Sequence, residues 1–175
     1  LIDGLIPLSS AVLRRELTST LDMAGQGLGG KRIIALCSAL DAMPFLRCVN
    51  FSDNRLTDLP LHALIKSLRQ LPSVVEIDLS DNSMGNKASR ELSDMLAEKK
   101  CCLRKLTLRN AGLNDKEAVM FVEALVDNTV LEDLDLSRNS IGTNEAENVI
   151  NPSVKTGAEA LGDMLLKNHT PLAVL

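Results

Sequence analysis

One apolar spacing recurs five times along the chain and limits it to a stacked architecture. Leu131, Leu134, Leu136, Asn139 and Ile141 stand at offsets one, four, six, nine and eleven of the stretch that shows it best. Leu103, Leu106, Leu108 and Leu113 repeat the spacing, as do Val74, Ile77, Leu79 and Met84, then Leu46, Val49, Phe51 and Leu56. A weaker first copy reads Thr18, Leu21, Met23 and Leu28. The first positions, 18, 46, 74, 103 and 131, are 28, 28, 29 and 28 residues apart. A period of this size signals units that bury their apolar faces on one another and not one irregular core. Alternation around Leu134 and Leu136 predicts a short strand with one buried face. Helix-period stretches follow the copies: Ile33, Leu36, Cys37 and Leu40; Leu61 to Leu68; Ala88 to Leu96; and Ala118, Phe121, Val122 and Leu125.

The stretch Leu131-Glu132-Asp133-Leu134-Asp135-Leu136-Ser137-Arg138-Asn139-Ser140-Ile141-Gly142 resembles the leucine-rich repeat family, in its long intracellular ribonuclease-inhibitor-like form. The likeness runs over residues 18 to 175. It implies an α/β fold: a right-handed solenoid with a parallel concave sheet, convex helices and about five repeats plus partial terminal ones. The expected division is a single domain with a cap or degenerate repeat at 1–17, repeats at 18–45, 46–73, 74–102, 103–130 and 131–171, and the start of another at 172–175. Leu172 and Leu175 fall at offsets one and four of that last repeat, so the array is expected to continue. In this family the asparagine at offset nine is buried and bonds turn backbone, a structural role for Asn54, Asn82 and Asn139. Gln26 and Ala111 interrupt that ladder, and Ala111-Gly112-Leu113 resembles the alternating subtype of these repeats.

The fifth repeat is longer than the others. From offset eleven to the last inward helix leucine there are 12 residues in each earlier repeat, as in 113 to 125, but 24 from Ile141 to Leu165. A 12-residue insertion near 144–156 follows, and Pro152 after Asn151 argues against one unbroken helix through it. It is expected to project as a loop or short extra turn.

Several function classes have no support. A formal net charge of −4 gives no reason to expect nucleic acid. No apolar run is long enough to span a membrane, and Leu1 to Leu8 is broken by Asp3, Gly4 and Pro7 without a basic lead. Cys37, Cys48, Cys101 and Cys102 lack a Cys-x-x-Cys spacing and a nearby histidine, so they read as free thiols in a reduced setting, cytoplasmic first and nuclear second. His62 and His169 are far apart along the array with no nucleophile beside either, so an enzyme is not expected. No cofactor, metal or small-molecule substrate is expected either. Gly25-Gln26-Gly27-Leu28-Gly29-Gly30-Lys31 matches the glycine spacing of a phosphate-cradling loop, but Arg32 stands where magnesium needs a hydroxyl. The run also aligns with the ordinary loop of the other repeats, Gly29 matching Gly85 and Gly142.

What remains is a surface. Outward strand positions carry bands of charge: Glu76, Asp78 and Asp81, then Arg104, Lys105 and Arg109, then Glu132, Asp133 and Asp135. Glu76, Lys105 and Asp133 share a row, so part of the pattern reads as an internal ladder and part as a face for a protein partner. The candidate partner-binding residues are Arg47, Asn50, Glu76, Asp78, Arg104, Lys105, Arg109, Glu132 and Asp135. The expected function is a protein-protein interaction scaffold using the concave face and adjoining loops. Resemblance to Ran GTPase-activating proteins gives a second reading, a regulator of a small GTPase; related arrays also serve immune sensing and cytoskeletal regulation.

Overall fold

The computed structural model describes residues 19–142, 156–167 and 172–174. Strands and helices alternate: β1 (Thr20–Asp22), α1 (Gly29–Leu40), β2 (Cys48–Asn50), α2 (Asp58–Leu68), β3 (Glu76–Asp78), α3 (Asn86–Ala97), β4 (Lys105–Thr107), α4 (Asp115–Leu125), β5 (Asp133–Asp135), α5 (Gly157–Lys167) and β6 (Ala173–Val174). The strands form one parallel six-stranded sheet in sequence order. This is the expected right-handed α/β solenoid. The middle residue of each of the first five strands, Leu21, Val49, Ile77, Leu106 and Leu134, is buried, and those on either side face solvent wholly or in part. Three residues suffice for a strand here because each is paired in register on both sides and buries one side chain under the helices. Ile33, Leu36 and Leu40 of α1, Leu61, Leu64 and Leu68 of α2, Leu92 and Leu96 of α3, and Phe121 and Leu125 of α4 fill the space between sheet and helices. Cys37 and Val122, read as inward, are only half-buried at its edge.

The chain leaves each strand through one backbone device. At offset eight the residue is left-handed in every repeat: Gly25 (φ 64°), Asp53 (50°), Asp81 (55°), Asn110 (49°) and Arg138 (59°). Glycine, aspartate and asparagine tolerate that region, whereas Arg138 does so at a cost. The asparagine that follows holds the turn. Asn54 Nδ2 donates to Met23 O at 2.8 Å and Phe51 O at 3.0 Å, and its Oδ1 accepts the Leu28 N–H at 3.1 Å. Asn139 does the same between Leu108 O, Leu136 O and the N–H groups of Ala111 and Leu113. Where Ala111 replaces asparagine, its backbone carbonyl takes the Met84 N–H at 2.8 Å, so the turn of the repeat before is still satisfied.

Strand register supports a longer fifth repeat: Lys105 pairs with Asp133, and Asp133 next pairs with Ala173. The inserted residues lie outside the described ones, as do residues 1–17 of the expected cap. One expectation is corrected. Leu165 is 42% exposed, and Met164, at 4%, fills the inward place. Thr156 and Glu159 cap α5 reciprocally, Thr156 Oγ1 accepting the Glu159 N–H at 3.2 Å and Glu159 Oε2 the Thr156 N–H at 2.9 Å. With the start so fixed and Gly157 against Ala118, the next inward positions run to Met164, as Leu125 follows Ala118 in α4.

Candidate protein-binding face

Register assembles the outward side chains into rows. Thr20, Cys48, Glu76, Lys105, Asp133 and Ala173 make one, and Asp22, Asn50, Asp78, Thr107 and Asp135 another. Arg47, Arg104 and Glu132 line up where the chain enters the sheet, each repeat's N–H bonded to a carbonyl of the repeat before. Arg109 follows β4, and its carbonyl accepts the Asp81 N–H at 2.9 Å. All nine candidate residues therefore lie on the sheet or at its two borders, and none is on a helix.

The charges are not equally available. Lys105 Nζ lies 3.2 Å from Asp133 Oδ2, and Arg104 forms an ion pair with Glu132, which raises its pKa further. Two of the three basic side chains of the fourth repeat are thus neutralised within the array, and exposure keeps each pair weak. Arg47 and Arg109 enter no ion pair among the described residues. On the other side of β4, a groove of about 240 Å³ is lined by Asp22, Asn50, Glu76, Asp78, Lys105 and Thr107. Its one basic group is the one already committed to Asp133, so the groove carries a surplus of negative charge. Cys48 sits in it between Thr20 and Glu76; burial, then the Glu76 charge, push its thiol up and keep it protonated.

The second row has a duty that sequence reading missed. Asp22 Oδ1 accepts the Ala24 N–H at 3.1 Å, Asn50 Oδ1 the Ser52 N–H at 3.0 Å, Asp78 Oδ1 the Ser80 N–H at 2.9 Å, and Asp135 Oδ1 the Ser137 N–H at 2.8 Å. These are Asx turns that satisfy the backbone as it leaves the sheet, and each leaves the second polar atom of its side chain for other work. The recurring Asp/Asn-x-Ser at 50–52, 78–80 and 135–137 was the available signal.

The glycine-rich run of the first repeat is used by the fold. Gly25, Gly27 and Gly29 hold φ of 64°, 55° and 62°, and the Leu28 N–H is occupied by Asn54. A Cβ on Gly30 would lie 2.7 Å from Pro60 Cγ, so that glycine permits α1 to approach α2. His62 lies on α2 with Nε2 3.6 Å from Glu91 Oε2; His169 is outside the described residues. Among the described residues no cluster of three metal-ligating side chains occurs, and no helix is long and apolar enough to cross a membrane. All four cysteines are free.

Comparison with known proteins places this geometry in context. A leucine-rich-repeat family model matches residues 127–144. NACHT, LRR and PYD domains-containing protein 5 of Mus musculus is 27% identical over 142 residues, 81% of this chain but 12% of that protein. NACHT, LRR and PYD domains-containing protein 3 of Homo sapiens is 34% identical over 90 residues, 51% of this chain and 9% of that protein. The ribonuclease inhibitor of Sus scrofa is 28% identical over 123 residues, 70% of this chain and 27% of the inhibitor. The chain thus matches only a minor part of each relative's length. Among solved structures, leiomodin-1 actin-binding site 2 superposes with a TM-score of 0.62 at 14% identity, covering 85% of this chain and 79% of that one. The tropomodulin C-terminal domain of Caenorhabditis elegans gives 0.57 at 13% identity, covering 86% and 90%. At such identities the likeness is one of fold.

Proposed function

Because this chain is a leucine-rich-repeat array similar to the ribonuclease inhibitor type, we propose that it is a protein-protein interaction scaffold, not a catalyst, receiving its partner on the concave sheet and adjoining turns. Arg47, Asn50, Glu76, Asp78, Arg104, Lys105, Arg109, Glu132 and Asp135 form the contact surface. The observation that carries the reading is the uncovered groove beside β4, whose Asp22, Glu76 and Asp78 have no basic counterpart to spare. A complementary partner brings a basic segment to that groove, while Arg109 and Arg47 at the borders meet its acids. The free thiols support a reduced, cytoplasmic setting.

A folded double variant, Glu76→Lys with Asp78→Asn, tests the reading. Asparagine at 78 keeps an oxygen for the Ser80 N–H, so charge is changed with little cost to the turn. Partners captured by the wild type should be lost by this variant, retained by the helix variant Lys66→Glu, and weakened by added salt. Capture that ignores the double variant would move the interface off the sheet.

The fold shared with leiomodin-1 actin-binding site 2 favours one named partner for the first assay, actin, by co-sedimentation with the same variants. The small-GTPase regulator is the remaining alternative, and absence of stimulated GTP hydrolysis across candidate GTPases would retire it.

A further inference from the structure

One carboxylate holds both ends of the lengthened passage in the fifth repeat. Asp115, in the first turn of α4 and only 7% exposed, accepts the Gly142 N–H at 2.6 Å and the Gly157 N–H at 2.8 Å on the same oxygen, Oδ1. Those two glycines bracket residues 143–156. Asp58 occupies the same offset two repeats earlier and serves a repeat of ordinary length: its Oδ1 accepts the Ala88 N–H at 2.8 Å, at the start of α3. There only the helix end is bound. In the lengthened repeat the point of departure and the point of return are bound together.

The surroundings are built for close approach. A Cβ on Gly157 would stand 2.6 Å from Ala118 Cβ and 2.9 Å from Asp115 Oδ1, so only glycine lets the backbone reach the carboxylate. Gly142 holds φ at 82°, which aims its N–H at the same atom without a side-chain penalty. An ionised acceptor makes both bonds stronger than neutral ones, and its charge lies at the N-terminus of α5, where the helix dipole favours it.

We propose that Asp115 is a staple at the base of the insertion: it keeps Gly142 and Gly157 together independently of residues 143–155, so that α5 and β6 stay docked when the path through those residues is cut or lengthened. Length matters little once the ends are held, because the entropic cost of a closed loop grows only with the logarithm of its length. The consequence is a scaffold whose binding sheet survives cleavage of the inserted stretch.

The test is a full chain with a site-specific protease sequence placed between Glu147 and Asn148. After cutting, the two pieces should co-elute on size exclusion and melt within about 4 °C of the uncut chain, a shift small for an array of this size. Cut Asp115→Ala should release the C-terminal piece, whereas Asp58→Ala, which removes the matching carboxylate from an unexpanded repeat, should not. Asp115→Asn keeps an acceptor oxygen and should retain the piece, with amide hydrogen exchange at Gly142 and Gly157 several-fold faster because the neutral oxygen binds more weakly. That exchange reading stands even if Asp115→Ala cannot fold. Release of the piece from cut wild type, its retention by cut Asp115→Ala, or unchanged exchange in Asp115→Asn would overturn the staple.

Discussion

Asn82 Oδ1 accepts the backbone N–H of Leu56 at 2.9 Å, across the seam to the previous repeat. Its Nδ2 donates to Phe51 O on the far side of that seam and to Leu79 O on its own. One buried amide therefore satisfies backbone groups of two repeats that no water reaches. Asn82→Ala should destabilise by about 1 to 3 kcal/mol because those groups lose their partner. Asn139→Ala, at a half-buried position, should cost less. Denaturant midpoints at constant m-value measure both, and a neutral Asn82→Ala would mean that the turn is hydrated.

Leu134 and Asp135 test the alternation of the strands. Leu134 is fully buried, so Leu134→Ala should cost about 2 to 5 kcal/mol. Alternation alone predicts almost no cost for Asp135→Ala. The Asx turn to Ser137 changes that expectation to a loss of about 0.5 to 1.5 kcal/mol, the net worth of a hydrogen bond. Asp135→Asn, which keeps the acceptor, should be close to wild type. Thermal melts of the three variants separate burial, turn and charge.

Strand register was legible because each repeat fixes it independently: the row Glu76, Lys105, Asp133 follows from counting, and the structure pairs those residues. The offset-nine asparagines were legible for the same reason. Which charges on the sheet are free was not, since Arg104 and Lys105 could have turned toward either neighbouring strand and chose the acids of β5. Asp58 and Asp115 escaped notice because they recur only in alternate repeats, at an offset held otherwise by Gly30, Asn86 and Thr143. Their partners lie in the next repeat, beyond the reach of a local pattern. Met164 displaced Leu165 for a comparable reason: a helix cap, not the strand period, sets the phase of α5.

Stability in acid should report one ion-pair network. Glu98 is hydrogen-bonded by Arg69, which also reaches Glu91, and this bond holds the Glu98 carboxyl below the usual glutamate range against the opposing effect of burial. A carboxyl with a lower pKa in the folded state contributes stability that is complete above its unfolded value, about 4.3, and is lost as pH falls through the folded one. Glu98→Gln should therefore destabilise at pH 7 and differ little from wild type at about pH 2 to 3. A difference that persists undiminished in acid would assign the loss to packing and not to charge.

Gly85 is required by its neighbour and not by its own backbone. Its φ of −118° and ψ of −171° suit any residue, but a Cβ there would lie 2.7 Å from Asp58 Cγ and 2.9 Å from Asp58 Cβ. Asp58 is the side chain that caps α3 from the previous repeat, through Ala88 at 2.8 Å. Gly85→Ala must push it away, and losing a cap of this kind costs about 0.5 to 2 kcal/mol. Asp58→Ala removes the same bond and should cost a similar amount. The two losses should not add. In the Asp58→Ala background the alanine at 85 meets no carboxylate, so the second substitution should be nearly neutral, leaving a coupling of the size of one single loss. Equilibrium unfolding of wild type, the two single variants and the double variant closes the cycle. Additive losses would show that Gly85 is kept for some reason other than room for Asp58.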